Sequence, residues 1–294
     1  MNSSDITSII FQTINSLLEN FVSSIDSTLF NILDDLVFID ESILKTSFFE
    51  SILGTSSYSG LVLIANSLLI AFIIFYCFRL LYCNYTSQPI EAPSHVVLKL
   101  IICSICINSS FYLCEHFLGL NSILSLSIKE IGSSLFKSEI SFSSLIQKLN
   151  KEIYTPSNSF NIFSFDGLIK GMISFSLLNL IFSYGLRYVI IKLFCFLTPF
   201  AILSLINKST SWFFKSWLKC LFSLLIMQEF ISLILLIIFS VNFNSGTMSK
   251  LIYIGGIYAL VYINSYIRQF IGGISTDVSI NLGNISNLLS AGRF

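Results

Sequence analysis

Five long runs of apolar residues, Leu61–Cys83, Val96–Leu118, Leu168–Ile206, Leu218–Val241 and Leu251–Ile267, alternate with short polar breaks along the chain. A helix of about 20 apolar residues crosses the roughly 30 Å of hydrocarbon in a bilayer. Every backbone N–H and C=O must be satisfied within the membrane, so such runs form helices. The ten-residue alternation of a membrane β-barrel is absent. The pattern predicts an all-α polytopic membrane protein with about five transmembrane helices and a membrane domain over 61–272.

The third run, Leu168–Ile206, is the unusual one. As a helix it measures roughly 58 Å, about twice the hydrocarbon thickness. Arg187 and Lys192 divide it, and only Gly185 offers a turn. Two spans would put Lys208, Lys215 and Lys219 on the opposite side from Arg79, Lys99 and Arg268. One long helix puts all six near the cytoplasmic ends of spans, as the positive-inside tendency favours. The expectation is five crossings, with the N-terminus outside and the C-terminus inside. Pro199 is expected to kink the inner half.

Outside the runs the spacing changes. Residues 5–50 read as an amphipathic helix, because Ile10, Ile14, Leu17, Leu18, Phe21 and Ile25 recur at three to four residues. Residues 1–60 carry eight acids and a single base, Lys45, so an acidic, extracytoplasmic helical region lying on a protein surface is expected there. The short loop Asn84–His95 holds Pro89 and Pro93 and cannot be helical throughout. Residues 120–165 read as a helical extracytoplasmic insertion ending near Pro156. Residues 273–294 read as a cytoplasmic tail, with a modest amphipathic helix over Val278–Leu289. The N-terminus shows no basic region followed by a short apolar core, so Leu61–Cys83 is expected to act as the first targeting signal.

Composition agrees with this picture. The 294 residues are 54% hydrophobic and 11% charged, with a mean hydropathy of +0.82, where a soluble domain carries about 25% charged residues. All seven cysteines lie in or beside apolar runs rather than in polar segments suited to disulfide staples. Cys103 and Cys106 form a C-x-x-C that reads as a pair of small packing residues. No metal-ligand spacing, P-loop, nucleophile elbow or dinucleotide fingerprint occurs. The expectation is therefore a protein with no catalytic residues, no metal and no cofactor.

Charges within apolar runs carry more information, because they are costly in lipid and normally paired or functional. Arg187 and Lys192 lie in the third run, and Glu229 lies in the fourth beside Gln228. Glu229 should face protein or water, either in an interhelical pair with Arg187 or Lys192 or on a water-lined path. The segment Asn207–Lys219 holds three lysines and both tryptophans, Trp212 and Trp217. It reads as an interfacial anchor, or as a docking face for a cytoplasmic ATPase or passing DNA through Trp212, Lys215, Trp217 and Lys219. Gly167, Gly171, Gly255 and Gly256 offer close helix packing.

The stretch Tyr184–Leu203, with its run ending in Pro199, followed by Ser211–Leu225 with its Trp and Lys residues, resembles the TrbL family. These are polytopic inner-membrane subunits of type IV secretion and conjugation systems, equivalent to the sixth VirB component. Pro199 matches the proline of the family's central helix and Trp217 its loop tryptophan. The resemblance implies a non-enzymatic channel or scaffold subunit in the bacterial cytoplasmic membrane that forms homo-oligomers. Its implied partners are other secretion-system membrane subunits, cytoplasmic ATPases, the lipid bilayer and, transiently, translocated DNA. A small-solute transporter or ion channel using Glu229 and Arg187 is the alternative, and a membrane-embedded enzyme a more distant third.

Overall fold

The computed structural model describes residues 32–54, 59–87, 92–153, 165–242 and 246–271, with Thr13 and Ser16. Residues 5–31 of the amphipathic helix expected over 5–50 (Thr13 and Ser16 apart), Pro89, Pro156 and the tail beyond 271 lie outside the described residues. No strand occurs among the described residues. The helices are α1 (32–37), α2 (Ser47–Leu53), α3 (Gly60–Thr86), α4 (Pro93–Asn108), α5 (Ser110–Phe136), α6 (Phe142–Ile153), α7 (Phe165–Leu203), α8 (Ser211–Ser240) and α9 (Thr247–Ile271). A 3₁₀ turn, Glu41–Leu44, lies between α1 and α2. Among the described residues, five helices are long and apolar enough to cross a membrane: α3, α5, the Gly171–Leu203 part of α7, α8 and α9. The protein is thus an all-α polytopic membrane protein.

The second span differs from its sequence outline of 96–118. The helix breaks at Ser109, and the spanning candidate is Ser110–Phe136, which runs deep into the expected insertion. The break has a local cause. Asn108 Nδ2 donates back to the Ser104 carbonyl at 2.8 Å, and a side chain that competes for backbone partners loosens a helix. Pro93 starts α4 at a first-turn position, where its missing N–H removes no helical bond. The long third run is a single continuous helix, with Pro199 inside it.

Residues 32–53 do not form one surface helix. They alternate short helical and extended pieces and pack into the bundle. Thr46 caps α2 by accepting from the Phe49 N–H, and Asp40 caps the 3₁₀ turn by accepting from Ser42 N–H at 3.0 Å. Gly54 ends α2 at φ 88°, where any Cβ would strike the Ser59 backbone. Asp34 starts α6 from a distance of over a hundred residues. Its carboxylate accepts from the backbone N–H groups of Phe142 (2.8 Å) and Ser143 (3.1 Å) and from the Ser143 hydroxyl.

Three apolar cores result. The first joins α1 and α6 to α9, to the N-terminal half of α7 and to the C-terminal half of α8, through Val37, Phe142, Leu180, Ile231 and Leu260. The second joins the 39–53 segment to α5, α7 and α8 through Leu44, Phe49, Leu118, Cys195 and Leu221. The third holds the α3–α4 hairpin against the end of α7 through Ala65, Cys103, Ile107 and Ile202.

Candidate functional site

The polar side chains of interest gather at the seam between the first two cores. Along α7 the first core reaches Tyr184 and the second resumes at Ile191; along α8 the corresponding limits are Met227 and Leu225. Arg187 fills the gap on α7 and Gln228 lies beside it on α8. Between Val37 and Ile39 the chain leaves α1 and is not helical, so its backbone groups need outside partners.

Arg187 supplies one of them. It is fully buried, donating from Nε to the Leu224 carbonyl and from Nη1 to the Val37 carbonyl, each at 2.9 Å. Gln228 supplies the other: its Oε1 accepts from the Ile39 N–H at 3.1 Å. Asn121 of α5 completes the set, donating to Gln228 Oε1 at 3.1 Å. With its amide turned over, Asn121 reaches the Glu229 carboxylate at 3.0 Å and the Leu225 carbonyl at 3.1 Å. Further along the same helix pair, the Ser125 and Ser232 hydroxyls lie 3.2 Å apart. The Tyr184 hydroxyl donates to the Leu260 carbonyl of α9 at 3.1 Å.

Arg187 and Glu229 are not a contact ion pair. Among the described residues, the ion pairs within 4.0 Å are those of Lys45 with Glu41 (3.8 Å) and Glu115 (2.9 Å). The Arg187 charge is instead spread over backbone carbonyls, and its Nη2 has no hydrogen-bond partner. Glu229 is half-buried. Lys192, also half-buried, lies with its ammonium 4.7 Å from the centre of the Tyr188 ring.

The lysine–tryptophan segment divides between two roles. Helix α8 begins at Ser211, so Trp212, Lys215, Trp217 and Lys219 all lie on its first turns rather than in the loop. Trp212, Lys215 and Lys219 are exposed, and Trp212 meets Phe213 edge to face at 6.0 Å. Trp217 is buried, and its indole N–H donates to the Phe194 carbonyl at 2.9 Å. It cannot stack on a base, because its ring is already packed beside Phe214. This bond ties α8 to α7 at a carbonyl five residues before buried Pro199. The proline has no N–H for the Cys195 carbonyl four residues back. The Cys114 thiol faces that carbonyl at 4.0 Å and the Thr198 hydroxyl at 3.0 Å.

The glycines divide as well. A Cβ on Gly256 would collide with Ile238 of α8, whereas Gly171 and Gly255 face open space. Gly167 lies on α7, within the stretch whose side chains are not described. Gly132, unremarked in the sequence, is tight: a Cβ there would strike Leu236 and Ile140.

Sequence reasoning also passed over Asp34, Asn121 and Tyr184. The asparagine was the legible one, since an amide in an apolar stretch needs partners. Asp34 gave no such signal among neighbouring acids. Burial pushes its carboxyl above the ordinary aspartate range, opposed by the Phe142 and Ser143 N–H groups, the Ser143 hydroxyl and the Lys129 charge.

Chemically the seam is a fixed set of donors holding an irregular backbone segment between helices. It brings together no nucleophile and base, and among the described residues no three His, Cys, Asp or Glu side chains gather as a metal would require. No family model matches the sequence, and no curated protein or solved structure shows significant similarity to it.

Proposed function

We propose that this chain is a non-enzymatic channel or scaffold subunit of a type IV secretion or conjugation apparatus, inserted in the bacterial cytoplasmic membrane with its N-terminus outside. The observation that supports this most is the tie between α7 and α8. The two segments on which the TrbL resemblance rests form one unit: the 39-residue helix α7, a turn over 204–210, and α8, tied together by Trp217 and the Phe194 carbonyl. In this reading the unit is a strut that spans the membrane and presents exposed Trp212, Lys215 and Lys219 to a cytoplasmic ATPase or to the substrate. The apolar faces of the outer helices serve lipid and neighbouring subunits.

A mating assay tests the reading. Donor cells carrying Lys215→Glu with Lys219→Glu should insert the protein normally and transfer DNA at a reduced rate. Wild-type transfer would remove the contact role from this end of α8. A reporter fused after Asn207 should report from the cytoplasm, and an external signal would overturn the proposed topology.

A small-solute channel is the second reading, favoured by the orphaned Nη2 of Arg187 and the half-buried Glu229. It requires that Glu229→Gln abolish flux in proteoliposomes while leaving insertion intact.

A further inference from the structure

Helices α3 and α4 form a hairpin whose buried apolar side chains, Cys83 apart, belong to the third core. Along α4 that core ends at Ile107, and the second core starts at Phe111 of α5. Along α7 the second core reaches Ala201, and the third starts at Ile202. The boundary between the two cores therefore cuts both helix lines. Two thiols show that it cuts them at one level. Cys103 faces the Ile202 carbonyl at 3.8 Å on one side of the boundary. Cys114 faces the Thr198 hydroxyl at 3.0 Å on the other. Ser109 and Pro199 lie between these contacts, on neighbouring helices.

Each place where the backbone crosses the boundary is weak. Ser109 has ψ 9°, far from the helical value of about −42°, and its N–H is shared between the Ile105 and Ile107 carbonyls. Beside it the Ser110 hydroxyl is buried with no hydrogen-bond partner. A buried polar group in that state favours any rearrangement that supplies one. Pro199 removes a helical hydrogen bond from α7. The link from α2 into α3 passes through Gly54 (φ 88°) and Gly60 (φ 59°), a conformation that side chains disfavour. The return from α7 to α8 is the 204–210 turn. There is also room to move. An open cleft of about 510 Å³ separates Phe72, Tyr76 and Leu100 of the hairpin from the 206–209 turn. Close packing there would hold the two parts rigid.

We infer that the α3–α4 hairpin, with the last turn of α7, swings as one body against the rest of the bundle about an axis through Ser109 and Pro199. The Asn66 and Asn108 amides, 2.9 Å apart, keep α3 and α4 together during the swing. The end of α7 travels with them because Ile202 and Leu203 are buried in the hairpin's core. Pro93 lies about 24 Å along α4 from Ser109. A rotation of about 20°, the threshold of a sharp helix kink, therefore displaces it by about 8 Å. The movement is independent of whether the protein serves secretion.

Double electron–electron resonance on the full chain in lipid nanodiscs tests it. One spin label goes on Cys77, exposed on α3, and the other on Leu126→Cys, at an exposed position of α5. The half-buried Cys106 and Cys220 are replaced by serine. This pair should give separations spread over about 8 Å. A control pair within the bundle, Leu126→Cys with Phe222→Cys in a Cys77→Ser background, should give one narrow separation. Ser109→Ala with Pro199→Ala restores helical bonding at both joints and should narrow the first distribution to the width of the control. Equally narrow distributions for the two pairs with both joints intact would overturn the proposal. A broad distribution that persists after Ser109→Ala and Pro199→Ala would also overturn it, because the motion would then arise elsewhere. The comparison of the two pairs leaves Ser109 and Pro199 in place, so it decides the matter even if Pro199→Ala disturbs folding.

Discussion

Helices α3 and α8 are equally apolar, yet α3 is mostly exposed and more than half of α8 is buried. The polar residues account for the difference. Ser223, Gln228 and Ser232 of α8 are all buried, and Gln228 and Ser232 bond to groups on other elements. Helix α3 carries little of this kind: Asn66 bonds to Asn108 of α4 at 2.9 Å, and Arg79 sits at the far end. Apolarity draws both helices into lipid. Only polar or small groups discriminate protein from lipid as a neighbour, because lipid tails are as apolar as leucine.

The sharpest way to break this contrast is at the α7–α8 joint. Trp217→Ala should lower stability by about 3–5 kcal/mol, as loss of a buried tryptophan does, whereas Trp212→Ala should change it by less than about 0.5 kcal/mol. Thermal unfolding in detergent reads both, and equal effects would dissolve the distinction between buried and exposed tryptophans.

Arg187→Met comes next. It strands the Val37 carbonyl, and a buried unsatisfied group costs about 1–3 kcal/mol. The matched change on the lipid face, Ile74→Leu, should cost less than about 0.5 kcal/mol. Proteolysis should then cut Arg187→Met faster near residues 37–40 than the wild type. An unchanged cleavage rate would show that the segment is held without the guanidinium.

Glycine packing gives an effect of similar size. Gly256→Val forces a side chain against Ile238 and should cost about 1–3 kcal/mol, while Gly255→Val, facing open space, should be near neutral.

The smallest effect is a pH dependence at Asp34. Its carboxyl titrates above the ordinary range in the folded protein because burial disfavours the ion. The protonated form is therefore favoured by folding. That contribution is complete below the unfolded-state pKa near 4 and is lost as pH rises through the higher folded value. Wild type should gain stability relative to Asp34→Asn as pH falls from 7 toward 4, and parallel melting curves at both pH values would contradict it.

These contrasts mark how far the sequence could be read. The apolar runs located four of the five candidate spanning helices among the described residues, while the break at Asn108 and Ser109 moved the second from 96–118 to Ser110–Phe136, because one helical break within an apolar run leaves hydropathy almost unchanged. Arg187, Gln228 and Glu229 were visible as charges and amides that lipid does not accept. Their partners were not visible, since the Val37 and Ile39 backbone groups look the same in any sequence and lie 150 and 189 residues away from the side chains that meet them. Trp217 and Trp212 were indistinguishable until helix phase on α8 turned one toward Phe194.

By itself the chain determined that its long apolar runs form helices suited to lipid, because transfer of apolar side chains and backbone satisfaction are local properties. Only the tertiary structure decided that α7 continues through Pro199, which of two equally apolar helices is the more buried, and where the 32–53 segment inserts. Those outcomes depend on directional polar contacts between residues far apart in sequence, and no local pattern encodes them.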